Sequence, residues 1–417
     1  MRFAWAAILL SGNLVACRSW FPTSASSLPS PLESDKPAYR DRLVTLHQSL
    51  VEIHSISGTE GSVGDFLVEY LTEKNFVVER QYLPSSNTSD NETGSSSRFN
   101  VLAWPGAVRP AEPKVLVSSH IDVVPPHIPY SRSGGKHLSS DTIIAGRGSV
   151  DAKASVAAQI TAVLELLSDE RIDPADVMLL FVVGEETIGD GMKHFSDVAA
   201  SSNPPLRFKA AVFGEPTEGK LACGHKGMLG CTITAHGKAG HSGYPELGKS
   251  AVEVLMRGLV KLLDTDVGSS ELFGNTTINV GEIKGGVARN VIPETAVAGL
   301  AGRVAMGPEI GGSEIVVQRV KDVMRSVDEE AFEFDCIAGY GTVECDCDIK
   351  GLDTITVNYG TDVPNLKGDH TRYLYGPGSI LVAHGANEAI KLGDLEAAVE
   401  GFQKIILHAL GDQTGEL

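Results

Sequence analysis

Beyond its first residues the chain has no apolar run long enough to span a membrane, which argues against a buried transmembrane helix in its body. It has no C-x-x-C pair, so a zinc site built on thiolates is not expected. It also lacks a basic surplus: 35 Lys+Arg against 53 Asp+Glu leave a net charge of −18. Phosphate binding needs basic patches, so nucleic acid and anionic membrane surfaces are not expected partners. No internal repeat or coiled-coil heptad is visible, which argues against a solenoid or a rod. What is present is 417 residues, 42% of them apolar, enough for two domains and a large core.

The N-terminus reads as a signal peptide over residues 1–16. Arg2 gives the positive start, residues 3–15 are mostly apolar, and Ala16 offers a small residue for cleavage. Leu14-Val15-Ala16-Cys17 also fits a bacterial lipoprotein box, which would put a lipid on Cys17. Three sequons, at Asn87, Asn91 and Asn275, favour export through a eukaryotic secretory pathway and make the protein a candidate secreted glycoprotein. Of six Cys, five remain if Cys17 is removed. Cys223 and Cys231 are one candidate pair; Cys336, Cys345 and Cys347 supply another and leave one free thiol, and spacing alone does not fix the connectivity.

Five short motifs stand in fixed order, each just past an apolar stretch. They are Ser119-His120-Ile121-Asp122-Val123-Val124-Pro125, Gly146-Arg147-Gly148-Ser149-Val150-Asp151, Gly184-Glu185-Glu186-Thr187, Gly214-Glu215-Pro216-Thr217 and Gly376-Pro377-Gly378 with His384 beyond it. Two His and several carboxylates converging on one point make a two-zinc site, because zinc takes imidazole nitrogen and carboxylate oxygen and a shared carboxylate can join two ions. The competing readings are structural. Asp151 or Ser149 would serve as the N-cap of a helix over 149–168, Glu185-Glu186 would be a solvated acidic pair, and Glu215 and His384 would be loop residues.

Residues 39–183 alternate between helical and strand patterns. Amphipathic helices are expected at 40–54 and 62–73, and buried strands at 114–119, 176–183 and 210–213. This alternation argues for an α/β domain with a mostly parallel sheet flanked by helices, and such sheets bind ligands beyond the carboxyl ends of their strands. The pattern then changes to strand, helix, strand, strand, helix, strand. Strands are expected at 231–236, 276–282 and 296–304, and helices at 250–264 and 313–329. The expected organisation is therefore a catalytic domain over 37–231, an inserted smaller α+β (ferredoxin-like) domain over 232–344, acting as lid or dimerisation unit, and a return to the catalytic domain over 345–417 with a last helix at 395–410.

With these motifs in order, the chain resembles the M20 metallopeptidases, a family that includes glutamate carboxypeptidase, aminoacylase and acetylornithine deacetylase. The likeness extends to Gly240-His241-Ser242-Gly243 and Gly285-Gly286-Val287-Ala288-Arg289-Asn290 in the inserted domain, and with the export signals it is most like secreted fungal carboxypeptidase-type members. The resemblance implies two zinc ions per chain, with Co²⁺ or Mn²⁺ as substitutes. His120, Asp151 and Glu215 would hold one ion and Asp151, Glu186 and His384 the other, with Asp151 bridging. Asp122 would accept a hydrogen bond from the second ring nitrogen of His120 and hold its tautomer. Glu185 would take the proton from the water that zinc activates. The family usually has a non-proline cis bond after this Asp and often has Thr where Gly385 stands here. His241 would polarise the scissile carbonyl, reaching the site from a partner subunit in dimeric members. Asn290 and Arg303 would hold the substrate carboxylate, and Gly378 would offer a backbone amide. His225, His236 and His370 are read as structural. The expected function is a secreted zinc carboxypeptidase acting on peptide bonds. The alternatives are an N-acyl-amino-acid deacylase with the same site, and a non-catalytic binding protein on this fold. Peptides or N-acyl amino acids are the expected substrates, and a homodimer through the inserted domain the expected assembly.

Overall fold

Residues 114–120 and 176–183 alternate between two sets of apolar side chains, and both sets are buried. In the computed structural model, which describes residues 36–84, 98–110, 112–135 and 137–412, these segments form the strands Val115–His120 and Val177–Val182 at the middle of a nine-stranded sheet. Successive strand side chains point to opposite faces. Val115, Val117, Val177, Leu179 and Phe181 accordingly enter one core, while Leu116, Met178, Leu180 and Val182 enter a second. A strand buried on both faces needs helices on both sides. The first face is covered by Arg40–Glu52, Gly61–Glu73, Lys153–Ser168 and Leu392–Leu410, and the second by Asp190–Ser201, which contributes Met192 and Phe195.

The central strands are parallel: Val115–His120 lies between Val177–Val182 and Ala210–Gly214, and Thr371–Tyr375 runs parallel to Ala210–Gly214 on the far side. Antiparallel strands close the edges, with Phe76–Tyr82 and Phe99–Pro105 on one side and Leu221–His225 with Val343–Glu344 on the other. The parallel centre brings four carboxyl ends to one rim of the sheet, and the chemistry-bearing residues follow directly from them.

The inserted layer opens at Gly227 rather than near residue 231, because the strand Gly227–His236 runs unbroken through that position. It pairs antiparallel with Thr295–Val304 and Phe332–Tyr340, and Thr277–Gly285 completes the sheet. Numbered within the layer the spatial order is 2-3-1-4, the ferredoxin-like arrangement. The helices Ala251–Leu263 and Gly312–Arg325 cover one face, on which Leu229, Ile233, Leu255, Leu259 and Val320 form a separate core. Ser250 caps the first of these helices by accepting from the Glu253 N–H.

The cysteines pair differently from the Cys223–Cys231 expectation. Cys231 lies directly opposite Cys336 in the strand register and is bonded to it, while Cys223, in the other sheet, bonds Cys347. Cys345 is the free thiol among the described residues. The expected signal peptide, Cys17, Asn87 and Asn91 lie outside the described residues; Asn275 is exposed at the end of a short strand. Among the described residues no helix is long and apolar enough to cross a membrane.

Candidate active site

His120 is the last residue of its strand, and its ring is buried. Nε2 lies 3.1 Å from Asp151 Oδ1 and 3.8 Å from Glu215 Oε1. The other oxygen of Asp151 faces His384, with Nε2 to Oδ2 at 3.3 Å, and His384 Nε2 is also 3.0 Å from Glu186 Oε2. One carboxylate thus sits between two imidazoles, each with a further Glu beside it. The ligand-type atoms of His120, Asp151 and Glu186, and those of His120, Glu185 and Glu215, lie within 4.8 Å of one another.

Loop geometry delivers these groups. Gly184 ends the strand Val177–Val182 region in a left-handed turn (φ +75°), where a Cβ would lie 2.0 Å from Asp190 Oδ1, so only glycine fits. The turn presents Glu185 toward Glu215 and Glu186 toward His384. The Glu185 and Glu186 N–H groups donate to Asp122 Oδ1 (3.1 Å) and Oδ2 (3.2 Å), and Ser57 Oγ donates to Oδ2 at 2.7 Å. Asp122 therefore holds the Glu185–Glu186 turn. Its expected bond to His120 is made by its backbone carbonyl, 3.0 Å from Nδ1, while its carboxylate stands 3.6 Å away. The backbone contact fixes the tautomer, and the carboxylate is free to bind the two N–H groups.

Asp151 is not a helix cap. The helix begins at Lys153 behind Ala152 with no side-chain cap, the Asp151–Ala152 bond is cis, and Ser149 Oγ donates to Glu388 O. The loop is instead fixed by Glu388, whose Oε1 accepts from the Val150 (3.0 Å) and Asp151 (3.2 Å) N–H groups, and by Arg147, paired with Glu388 Oε2 at 2.5 Å. Arg147 also reaches the carbonyls of His384 (3.3 Å) and Gly385 (3.4 Å). His384 itself has φ +61°, an uncommon conformation for a non-glycine residue.

The electrostatics are those of crowded anions. Burial, then the neighbouring charges of Glu215, Asp362 and Glu186, drives the Glu185 carboxyl well above the ordinary range. Glu215 is raised the same way by burial and by Asp151 and Glu186, with His120 opposing. Burial would raise Asp151 too, but its bonds to His120 and His384 outweigh that and hold it low. His384 is pushed up to about 10 by Asp151 and Glu186. Carboxylates forced together at this density are stabilised by a divalent cation, so the donor set, two imidazoles and three or four carboxylates, fits a metal centre.

Sequence reasoning missed Asp362, buried and raised to about 6 by desolvation, which lines a small cavity of about 10 Å³ with His120 and Glu215. The end-of-strand rule that found the other acids does not reach it: Asp362 lies in the loop after the strand Thr354–Val357, which runs parallel to Leu221–His225 and so opposite to the parallel centre. Tyr340, Tyr359 and Lys193 were also missed; they line a cavity of about 800 Å³ that contains Asp151, Glu185, Glu186, Glu215 and His384. Arg303 lines this cavity as well. His241, Asn290 and Gly378 do not. The short strand Gly240–His241 pairs with Val291–Ile292, and Ser242 N–H donates to Asn290 O, so His241 and Asn290 sit together and exposed away from the cavity wall. Gly378 packs on Val150 and accepts from the Glu218 N–H. His225 is buried and structural, as read; its Nδ1–H donates to Lys226 O at 2.9 Å and its Nε2 accepts from Thr361 Oγ1 at 3.1 Å.

The chain is similar to known proteins over most of its length. A peptidase M20 domain-containing protein of Sordaria macrospora is 56% identical over 401 residues, covering 93% of this chain and 89% of the relative. The chain belongs to the M20 peptidase family. The family model described as a peptidase dimerisation domain matches residues 223–330 of this M20 chain, the inserted layer. A probable carboxypeptidase of Neosartorya fischeri is 45% identical, covering 89% of this chain and 87% of its own. Among solved structures, a tripeptidase of Staphylococcus aureus (TM-score 0.70, 20% identity, 88% of this chain and 99% of that one) and an M20 family metallo-carboxypeptidase of Sulfolobus solfataricus (TM-score 0.64, 18% identity, 88% and 99%) share the fold.

Proposed function

We propose that the protein is a two-zinc carboxypeptidase that removes residues from peptides at their carboxyl end. The observation that carries this reading is the single Asp151 carboxylate, one oxygen facing His120 and the other His384, on the floor of a cavity large enough for a short peptide. His120, Asp151 and Glu215 would hold one ion and Asp151, Glu186 and His384 the second, each with a position left open. When bound, the zinc ions would polarise the scissile carbonyl and make water acidic enough to deliver a nucleophile. Glu185, whose N–H is fixed on Asp122, would take the proton from the attacking water and pass it to the leaving nitrogen. Arg303 would pair with the substrate carboxylate in the geometry that guanidinium favours.

The test is metal analysis with a panel of dipeptides and N-acyl amino acids. About two metal ions per chain and turnover of the peptides are expected; preference for the N-acyl amino acids would make the protein a deacylase, and full turnover without metal would end the reading. Two further assignments belong to it. The exposed Met256, Val260 and Leu263 on one helix of the inserted layer support pairing with a second copy, which would bring His241 and Asn290 to a partner's cavity; sedimentation measures this. Two disulfides and the exposed sequon at Asn275 support secretion, and native protein that keeps Met1 and carries no glycan would refute it.

A further inference from the structure

The face of the inserted sheet that its helices leave open turns toward the acidic cluster. Along Gly227–His236, Leu229, Cys231 and Ile233 point to the helices, so Met228 and Gly230 point the other way, into the cavity. Two cross-strand rows result. One is Arg303–Met228–Tyr340 and the next is Ala301–Gly230–Ile337. Gly230 is the centre of the second row. A Cβ built there meets no atom within 4 Å, and its backbone is not left-handed, so no conformational need keeps a glycine at this position. Glycine inside a strand weakens it and commonly marks close approach by a ligand. The side chains beside the gap are apolar and unpartnered: Ile337 is 78% exposed and Met228 41% exposed, although both line the cavity.

We propose that Gly230, with Ile337 and Met228 beside it, forms the recess for a bulky apolar side chain on the same substrate residue whose carboxylate Arg303 holds. Gly230 is on the strand beside Arg303 and one row on, a diagonal neighbour at roughly 7–8 Å, so a Leu or Phe side chain can reach toward it from a carboxylate held by the long Arg303 side chain. The substrate class is then a peptide ending in Leu, Phe or a similar residue. This rests on the carboxypeptidase reading for the role of Arg303.

The experiment compares substrates that differ only in the last residue, Ala, Leu, Phe or Asp, in wild type, Gly230→Val and Ile337→Asp. Valine suits a strand, so the first variant is expected to fold, and Ile337 is too exposed for the second to disturb the core. Wild type should favour Leu and Phe over Ala by about 10-fold or more in kcat/KM, the scale of a few methylenes in an apolar pocket. Gly230→Val should remove that preference with metal content unchanged, and Ile337→Asp should reduce it independently. Calorimetric binding of the corresponding N-acetyl amino acids is measured in parallel. Discrimination in binding without hydrolysis of any substrate would sink the carboxypeptidase reading and leave the recess standing. Equal treatment of Ala and Phe in both assays, or a preference that survives both substitutions, would overturn the recess.

Discussion

Glu388 and Arg147 form a buried pair, 1% and 2% exposed at the side chain, which ties together the two loops carrying Asp151 and His384. Glu388→Gln keeps an oxygen for the Val150 and Asp151 N–H groups but leaves the guanidinium without its counter-charge. Breaking a buried pair in this way costs ~3–5 kcal/mol, a large share of the ~5–15 kcal/mol that holds a typical domain. Adding Arg147→Met removes the stranded charge. The double variant should therefore recover most of the loss, because the acceptor for the two N–H groups, worth ~1–3 kcal/mol each if orphaned, is still present. Metal retention should not recover. Without Arg147 the carbonyls of His384 and Gly385 lose their donor, and loss of a group that orients a ligand typically costs ~10–100-fold in metal affinity. Urea unfolding reads the first quantity, and competition with a chelator reads the second. If Glu388→Gln costs under about 1 kcal/mol, the Arg147 guanidinium does not depend on Glu388 for its counter-charge. If the double variant holds metal as wild type does, the positioning role is wrong.

The adjacent acids should separate in their effects. Glu185→Gln should lower turnover by ~10²–10⁴ with metal content unchanged, whereas Glu186→Gln, a poorer ligand against His384, should lose metal; the reverse pattern refutes the division of roles. His47 and His225 are fully buried, and burial lowers each imidazole from 6.5 to about 4. Between these values the unfolded chain binds more protons than the folded one, so stability is full above about 6.5, falls as the pH drops toward about 4, and loses nothing further from these groups below that. Each contributes up to ~3 kcal/mol to the fall. Urea midpoints at pH 7 and 5 should differ less in His225→Gln than in wild type, and an unchanged difference would refute the assignment.

The parts of the fold that were legible in the sequence are those where burial leaves a period. The strands at 115–120 and 177–182 are apolar at every position but the last few, because both faces are covered. The inserted layer showed its strand and helix order because one face only is buried, as in the alternation of Gly227–His236. Phe76–Tyr82, Phe99–Pro105 and Leu221–His225 were not read: the first is an edge strand that carries charge, the last is short and contains glycine, and Phe99–Pro105 is buried at every position and so shows no alternation. The disulfides were misread for the same reason that register is hard to read: Cys231 and Cys336 are 105 residues apart and meet only through strand pairing.

The site divides along a similar line. His120, Glu185, Glu186 and Glu215 follow strands of one parallel sheet, so chain order and strand direction together place them on one rim, and short-range sequence pattern is enough. Asp151 and His384 are set by something else. Their positions depend on Arg147 and Glu388, whose partners are 237 to 241 residues away, and on a left-handed backbone at His384. Long-range contacts of that kind leave no local period. The sequence names the two residues, but their distances to Glu186 and His120 arise only once the last helix has packed against the Lys153–Ser168 helix and brought the loop before it over the sheet. His120, Glu185, Glu186 and Glu215 are thus placed by the sheet, while Asp151 and His384, which complete both halves of the site, depend on the contacts of the C-terminal segment.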